Sequence, residues 1–145
     1  MAETPIPWAI LEGVKTRLGT VRKANGFRTD AGRDVRLEPA PFDPNDVARL
    51  TLYPLTTLYP DDARSAGERG FTFVVEALVP VRIDNAQQRI VETIADIEDA
   101  LDGYAQAPLA LPLQFQESVL LDRPDGIAAM AAQVLFGTRY RRPQR

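Results

Sequence analysis

Three carboxylates form the most pointed chemical pattern in the sequence. Glu92, Asp96 and Asp99 recur at i, i+4 and i+7, a spacing that lines side chains along one stripe of an α-helix. Such a stripe can ligate a divalent cation, but one helix supplies only one side of a coordination shell, and no second acidic cluster follows in the sequence. A solvated or partner-facing surface is therefore expected, with no metal and no cofactor. Like charges four residues apart cost a helix roughly 0.2–0.5 kcal/mol each, so the stripe calls for something basic nearby.

Other chemistries are excluded by composition. The chain contains no His and no Cys, which removes Cys/His zinc sites, a Ser-His-Asp triad, a Cys-His dyad and any imidazole general base. An enzyme built from this chain would have to run on Asp, Glu, Lys, Tyr, Ser or Thr. Asp30-x-Gly32 imitates half of a calcium loop, lacks the downstream carboxylates, and reads as a plain turn. Gly67-Glu-Arg-Gly70 has neither the spacing nor the Lys-Ser/Thr ending of a phosphate loop. Trp8 and the other aromatics read as core. No catalytic residues are assigned.

The charges are segregated. Seventeen bases against twenty acids give a net charge of −3, which does not attract nucleic acid in bulk. Two of the bases are lysines, Lys15 and Lys23, which leaves fifteen arginines. Arginine favours planar, bidentate partners, so the bias points to built contacts. Residues 92–102 hold Glu92, Asp96, Glu98, Asp99 and Asp102 without a base, and the last seven residues hold Arg139, Arg141, Arg142 and Arg145 without an acid. The arginine tail matches no RNA-binding or helix-turn-helix signature; it is either a solubilising end or a contact surface. Glu76, in the middle of an apolar strand, is a candidate buried acid, better explained by an opening onto solvent or a subunit boundary.

The elements that position these residues follow from periodicity. Ile10, Leu11, Val14, Leu18 and Val21, after Pro5 and Pro7, predict a helix over about 5–23, stopped near Asn25-Gly26. Residues 27–37 predict two short extended pieces around Asp-Ala-Gly, a loop of hairpin length. Residues 38–46, with three prolines, read as irregular; 47–53 as a strand ended by Pro54; 56–70 as a polar loop. The alternation Phe71, Phe73, Val75, Ala77, Val79, Val81, with Val74 and Leu78 between, predicts a central two-sided strand. Asp84 with Gln87 imitates a capping box ahead of Ile90, Ile94, Ile97 and Leu101, and Gly103 stops that helix. Strands are expected over 113–122 and 128–142, joined by the turn Arg123-Pro-Asp-Gly126. A chain of 145 residues buries roughly 70% of its unfolded surface, enough for one self-supporting domain over 1–145. The class is α+β: a mainly antiparallel or mixed sheet with two helices on one face and long loops extending from it. No run of about 20 apolar residues offers a membrane span, and residues 1–7 lack the features of a signal peptide, so synthesis in a cytoplasm is expected.

The layout resembles the tail terminator or minor tail proteins of long-tailed bacteriophages. The resemblance covers most of the chain and rests on three parts. They are the amphipathic first helix leading into Asn25-Gly-Phe-Arg-Thr-Asp-Ala-Gly32 and Val35; the Phe71-Thr-Phe-Val-Val-Glu-Ala-Leu-Val79 strand feeding the helix from Asp84 to Leu101; and a final strand closing on Gly137-Thr-Arg-Tyr140-Arg-Arg-Pro143. It implies a structural virion protein of the tail or neck, with no enzymatic activity. Such proteins form a ring, here expected to contain six copies, which caps the tail tube, stops its polymerisation and presents the surface on which the head-tail connector docks. Its partners would be its own copies, the tail tube protein and the connector or stopper protein. DNA would cross the pore without sequence-specific binding, and no membrane would be involved. A head completion or stopper ring is the alternative within that class; a metal-dependent nuclease or hydrolase is the alternative outside it. The acidic stripe and the arginines would then serve as assembly contacts, with each other across a subunit boundary or separately with tube and connector.

Overall fold

The computed structural model of the chain describes residues 2–42, 47–82, 84–121 and 128–143. Seven elements follow in order: α1 (Ile6–Leu18), β1 (Val35–Arg36), β2 (Arg49–Leu58), β3 (Glu68–Pro80), α2 (Ala86–Leu101), β4 (Gln114–Leu121) and β5 (Ala129–Arg141). They build a five-stranded sheet in the order β1-β2-β3-β5-β4, in which β1 runs parallel to β2 and every other pair is antiparallel. The fold is α+β with a mixed sheet and two helices, as the residue patterns predict.

The core lies between the helices and one face of the sheet. Side chains of a strand alternate between faces, so Phe71, Phe73, Val75, Ala77 and Val79 of β3 share one side. With Leu50 and Leu52 of β2 and Ala132, Val134 and Phe136 of β5, they meet Ile10, Leu11, Val14 and Leu18 of α1 and Ile90, Ile97 and Leu101 of α2 in one buried cluster. Phe73 lies at the centre, its ring centroid 5.8 Å from that of Phe71 and 5.9 Å from that of Phe136. Arg17 ties the two helices together: its Nε donates to the Ala100 carbonyl at 3.0 Å while its guanidinium lies over the Tyr104 ring.

Several local expectations change. α1 ends at Leu18, and Gly26 takes the left-handed conformation (φ 92°) after a separate 3₁₀ turn, Lys23–Asn25. Residues 27–37 form no hairpin. Ala31–Arg33 is a second 3₁₀ turn, and Val35–Arg36 pairs in parallel with β2. The cause is tertiary: the amide of Gly32 donates to the Val21 carbonyl at 2.9 Å and that of Lys23 to the Asp30 carboxylate at 2.9 Å, which folds the segment back onto the end of α1. Pro54 does not end β2, because a proline is tolerated at the bulge that shifts the register between Pro54 and Thr56. The expected polar loop over 56–70 accordingly shrinks to 59–67. α2 begins after Asn85, whose backbone is left-handed and whose side chain makes no capping bond. The predicted turn Arg123-Pro-Asp-Gly126 lies outside the described residues, as do 43–46 of the irregular loop.

Candidate functional site

The acidic stripe is partly internal. Asp96 is completely buried, and its carboxylate receives four donors: the Thr29 amide and hydroxyl, each 2.8 Å from Oδ2, and the Arg28 amide and Nη1 at 3.1 and 3.0 Å from Oδ1. The same Nη1 reaches Asp99 Oδ2 at 2.7 Å. Arg28 is thus the base that the stripe calls for, supplied by the chain itself from the segment before β1. Asp99 remains exposed and Glu92 half-buried. Among the described residues no group of three or more acidic side chains converges as a metal site would require.

The arginines of β5 divide in a similar way. Arg139 forks between two carboxylates, with Nη2 2.6 Å from Asp62 Oδ1 and Nη1 3.1 Å from Glu68 Oε1. It fastens the β2–β3 connection to β5. The guanidinium holds the Asp62 carboxyl below its usual range, and the Arg64 amide followed by Arg139 does the same for Glu68. Arg141 and Arg142 are exposed at the end of β5, and Arg145 lies outside the described residues. Among the described residues no ion pair joins the stripe to Arg139, Arg141 or Arg142.

Beside Arg139 a groove of about 640 Å³ opens over Thr72, Gly137 and Gln116, walled by Leu58 and Leu111. Among the described residues its titratable lining consists of Arg64 and the Asp62–Arg139–Glu68 fork. A second surface is the sheet face turned away from the helices. Register places Thr51, Glu76 and Gln133 side by side across β2, β3 and β5. Arg49, nearly buried on the same face, donates to the Ala40 and Pro41 carbonyls at 2.8 and 3.0 Å and lies under the Phe42 ring. Burial raises the Glu76 carboxyl above the usual carboxylate range, against the pull of Arg49.

This sets a pH dependence of definite sign. A carboxyl whose folded pKa is raised binds more protons in the native than in the unfolded state, so stability falls as pH rises through the window above the unfolded value of about 4.3. Glu76→Gln removes the penalty. The variant is expected to melt above the wild type at pH 7, with the difference closing near pH 4. An equal offset at both pH values would show that the charge of Glu76 is not the cause.

No protein-family model matches the sequence, and no curated protein matches it. Solved structures do. The chain shares its fold with a component of a gene transfer agent virion. That chain, from the virion of a native gene transfer agent particle, superposes at a TM-score of 0.55 with 18% identity, over 76% of this chain and 80% of its own. A second solved chain, whose name assigns no function, superposes at 0.56 with 16% identity over 94% and 96%. At these identities the likeness is one of fold. The sequence patterns located the acidic stripe and the arginine run but missed Arg28, Asp62 and Glu68 as their partners; the unpaired like charges were the only signal.

Proposed function

We propose that the chain is a structural virion protein of a phage-like particle, acting as a tail terminator: a ring subunit, in six copies, that caps the tail tube, stops its polymerisation and offers the head-docking surface. The observation that carries this reading is the shared fold with a gene transfer agent virion chain over most of both lengths. The chemistry agrees with it. Glu76 has no imidazole or thiol to work with, Asp96 is saturated by its own chain, and the groove beside Arg139 brings together no catalytic set. On this reading the protein works through surfaces, without enzymatic activity, in the tail or neck of the particle. Its partners are its own copies, the tube protein and the connector, and DNA passes through the pore. The test is particle assembly with and without the chain. Without it, tubes should grow past their normal length and carry no heads; tubes of normal length joined to heads would overturn the reading.

Of the stripe and the arginines, Asp99, Arg141 and Arg142 are exposed and Glu92 is half-buried, with Arg139 already engaged by Asp62 and Glu68. Exposed ion pairs contribute about 1 kcal/mol or less each, so single substitutions should do little. Arg141 and Arg142 changed together to Gln, with Arg139 left in its internal fork, should weaken assembly at low salt, with the defect shrinking at high salt, where screening already suppresses the wild-type advantage. Unaltered assembly at low ionic strength would leave the arginines as a solubilising end.

A further inference from the structure

The sheet ends in two different unpaired edges. At one end is β4. Its inner side pairs with β5 from Gln114 to Leu121, but among the described residues no backbone group pairs with its outer side over 116–121. At the other end is β2. β1 covers it only at Leu50 and Thr51, and its outer side over 52–58 is likewise unpaired among the described residues.

Both edges carry apolar side chains in solvent. Leu120 is 55% exposed and its neighbours Val119 and Leu121 are also open; on β2, Leu55 and Leu58 are each about half exposed. Natural sheet edges are normally guarded by Lys, Pro or a strong bulge. β4 has neither Lys, Arg nor Pro between residues 114 and 121, and its bulge at Phe115/Glu117 and its one charge, Glu117, lie before the apolar run. β2 carries one guard, Pro54 with the bulge that follows it, but has no Lys, Arg or further Pro from Leu55 to Leu58. An edge so left is a template for a further strand, which can replace water along the whole row of backbone donors and acceptors.

The topology selects the strand. β2 and β5 point the same way and β4 points opposite to both, since β2–β3, β3–β5 and β5–β4 are all antiparallel. If copies are related by a rotation about an axis along the strands, β4 of one copy meets β2 of the next antiparallel, the stronger mode of pairing. Two unlike patches at opposite ends of a molecule form a heterologous contact, which repeats around a closed ring. We propose that the outer edge of β4, residues 116–121, pairs with the outer edge of β2, residues 52–58, of a second copy, so that one sheet continues from subunit to subunit. The ring reading above underlies this choice over a two-fold β4–β4 contact, and it would survive the failure of the pairing.

The test uses the full-length chain with two edge variants at exposed positions, V119K/L120K on β4 and L55K/L58K on β2, their fold verified by circular dichroism and their mass distribution followed by analytical ultracentrifugation. The wild type should assemble, and each variant alone should associate at least about tenfold more weakly. A mixture of the two should stop at a 1:1 dimer, because only one good β4 edge and one good β2 edge remain. Hydrogen exchange provides a readout free of substitutions: amides in 116–121 and 52–58 should gain protection together as wild-type concentration rises. Assembly of the β2 variant alone would mean a two-fold β4 contact and overturn the proposal, as would normal assembly of both variants. A wild type that stays monomeric at millimolar concentration also overturns it, while the tube-length experiment judges the ring reading separately.

Discussion

Asp96→Ala should lower the unfolding free energy by about 3 kcal/mol, the scale found when one partner of a buried ionic network is removed. The loss is not that of one ion pair. Asp96 Oδ2 is the acceptor for both the amide and the hydroxyl of Thr29, a residue only 3% exposed, and Oδ1 is the acceptor for the amide of Arg28. Truncation leaves the Thr29 groups buried and facing a void, and unsatisfied buried donors cost roughly 1–3 kcal/mol each. For a chain of this size the melting temperature should fall by roughly 6–12 °C. Arg28→Ala should do far less, because that side chain is half-exposed and its removal leaves the Thr29 bonds intact. Urea unfolding of the two variants decides: losses of similar size would place the energy in the ion pair rather than in the buried cradle.

That cradle shows where the sequence stops being legible. The stripe Glu92, Asp96, Asp99 could be read from spacing, and so could its need for a base, but spacing within a helix does not say which distant segment arrives there. Arg28 and Thr29 come from about seventy residues earlier. Patterns confined to one element were readable. Ile90, Ile97 and Leu101 bury as their helical repeat requires, and the alternation of β3 assigns its two faces. Pro54 was misread because its effect depends on where β2 lies in the sheet, and strand order is a property of the whole chain. The same holds for the free edge of β4. Nothing in Val119-Leu-Leu121 marks those residues as an outer strand; the missing Lys, Arg and Pro become meaningful only once no neighbour is found beside them.

Gly32→Ala should be the most damaging glycine substitution in the segment that Asp96 holds. In sequence, Asp30-Ala-Gly32 suggests a glycine chosen for positive φ. Among the described glycines, however, only Gly26 and Gly103 have that backbone, so the reason for Gly32 must be space. A Cβ there would press against the Leu18 carbonyl oxygen and stand 2.8 Å from that of Val21 and 3.0 Å from the Val21 nitrogen. All three are backbone atoms at or just beyond the end of α1, and no rotamer change relieves them. The amide of Gly32 is meanwhile bound to the Val21 carbonyl, so moving away to admit a methyl group breaks the bond that folds this segment back. Overpacking with backbone displacement costs about 1–3 kcal/mol, and the lost bond between buried groups places Gly32→Ala at the upper end of that span. Gly26→Ala is the control: its φ of 92° makes any side chain strained, but nothing lies within 4 Å of the added carbon, and the strain alone costs roughly 1–2 kcal/mol. The expected order in urea midpoint is wild type, then Gly26→Ala, then Gly32→Ala. The Gly32 variant should also expose residues 27–31 to hydrogen exchange, because displacing the turn pulls Thr29 off the Asp96 carboxylate. If Gly32→Ala is no less stable than Gly26→Ala, close approach to α1 is not what the glycine is for, and the turn tolerates a side chain by moving as a unit.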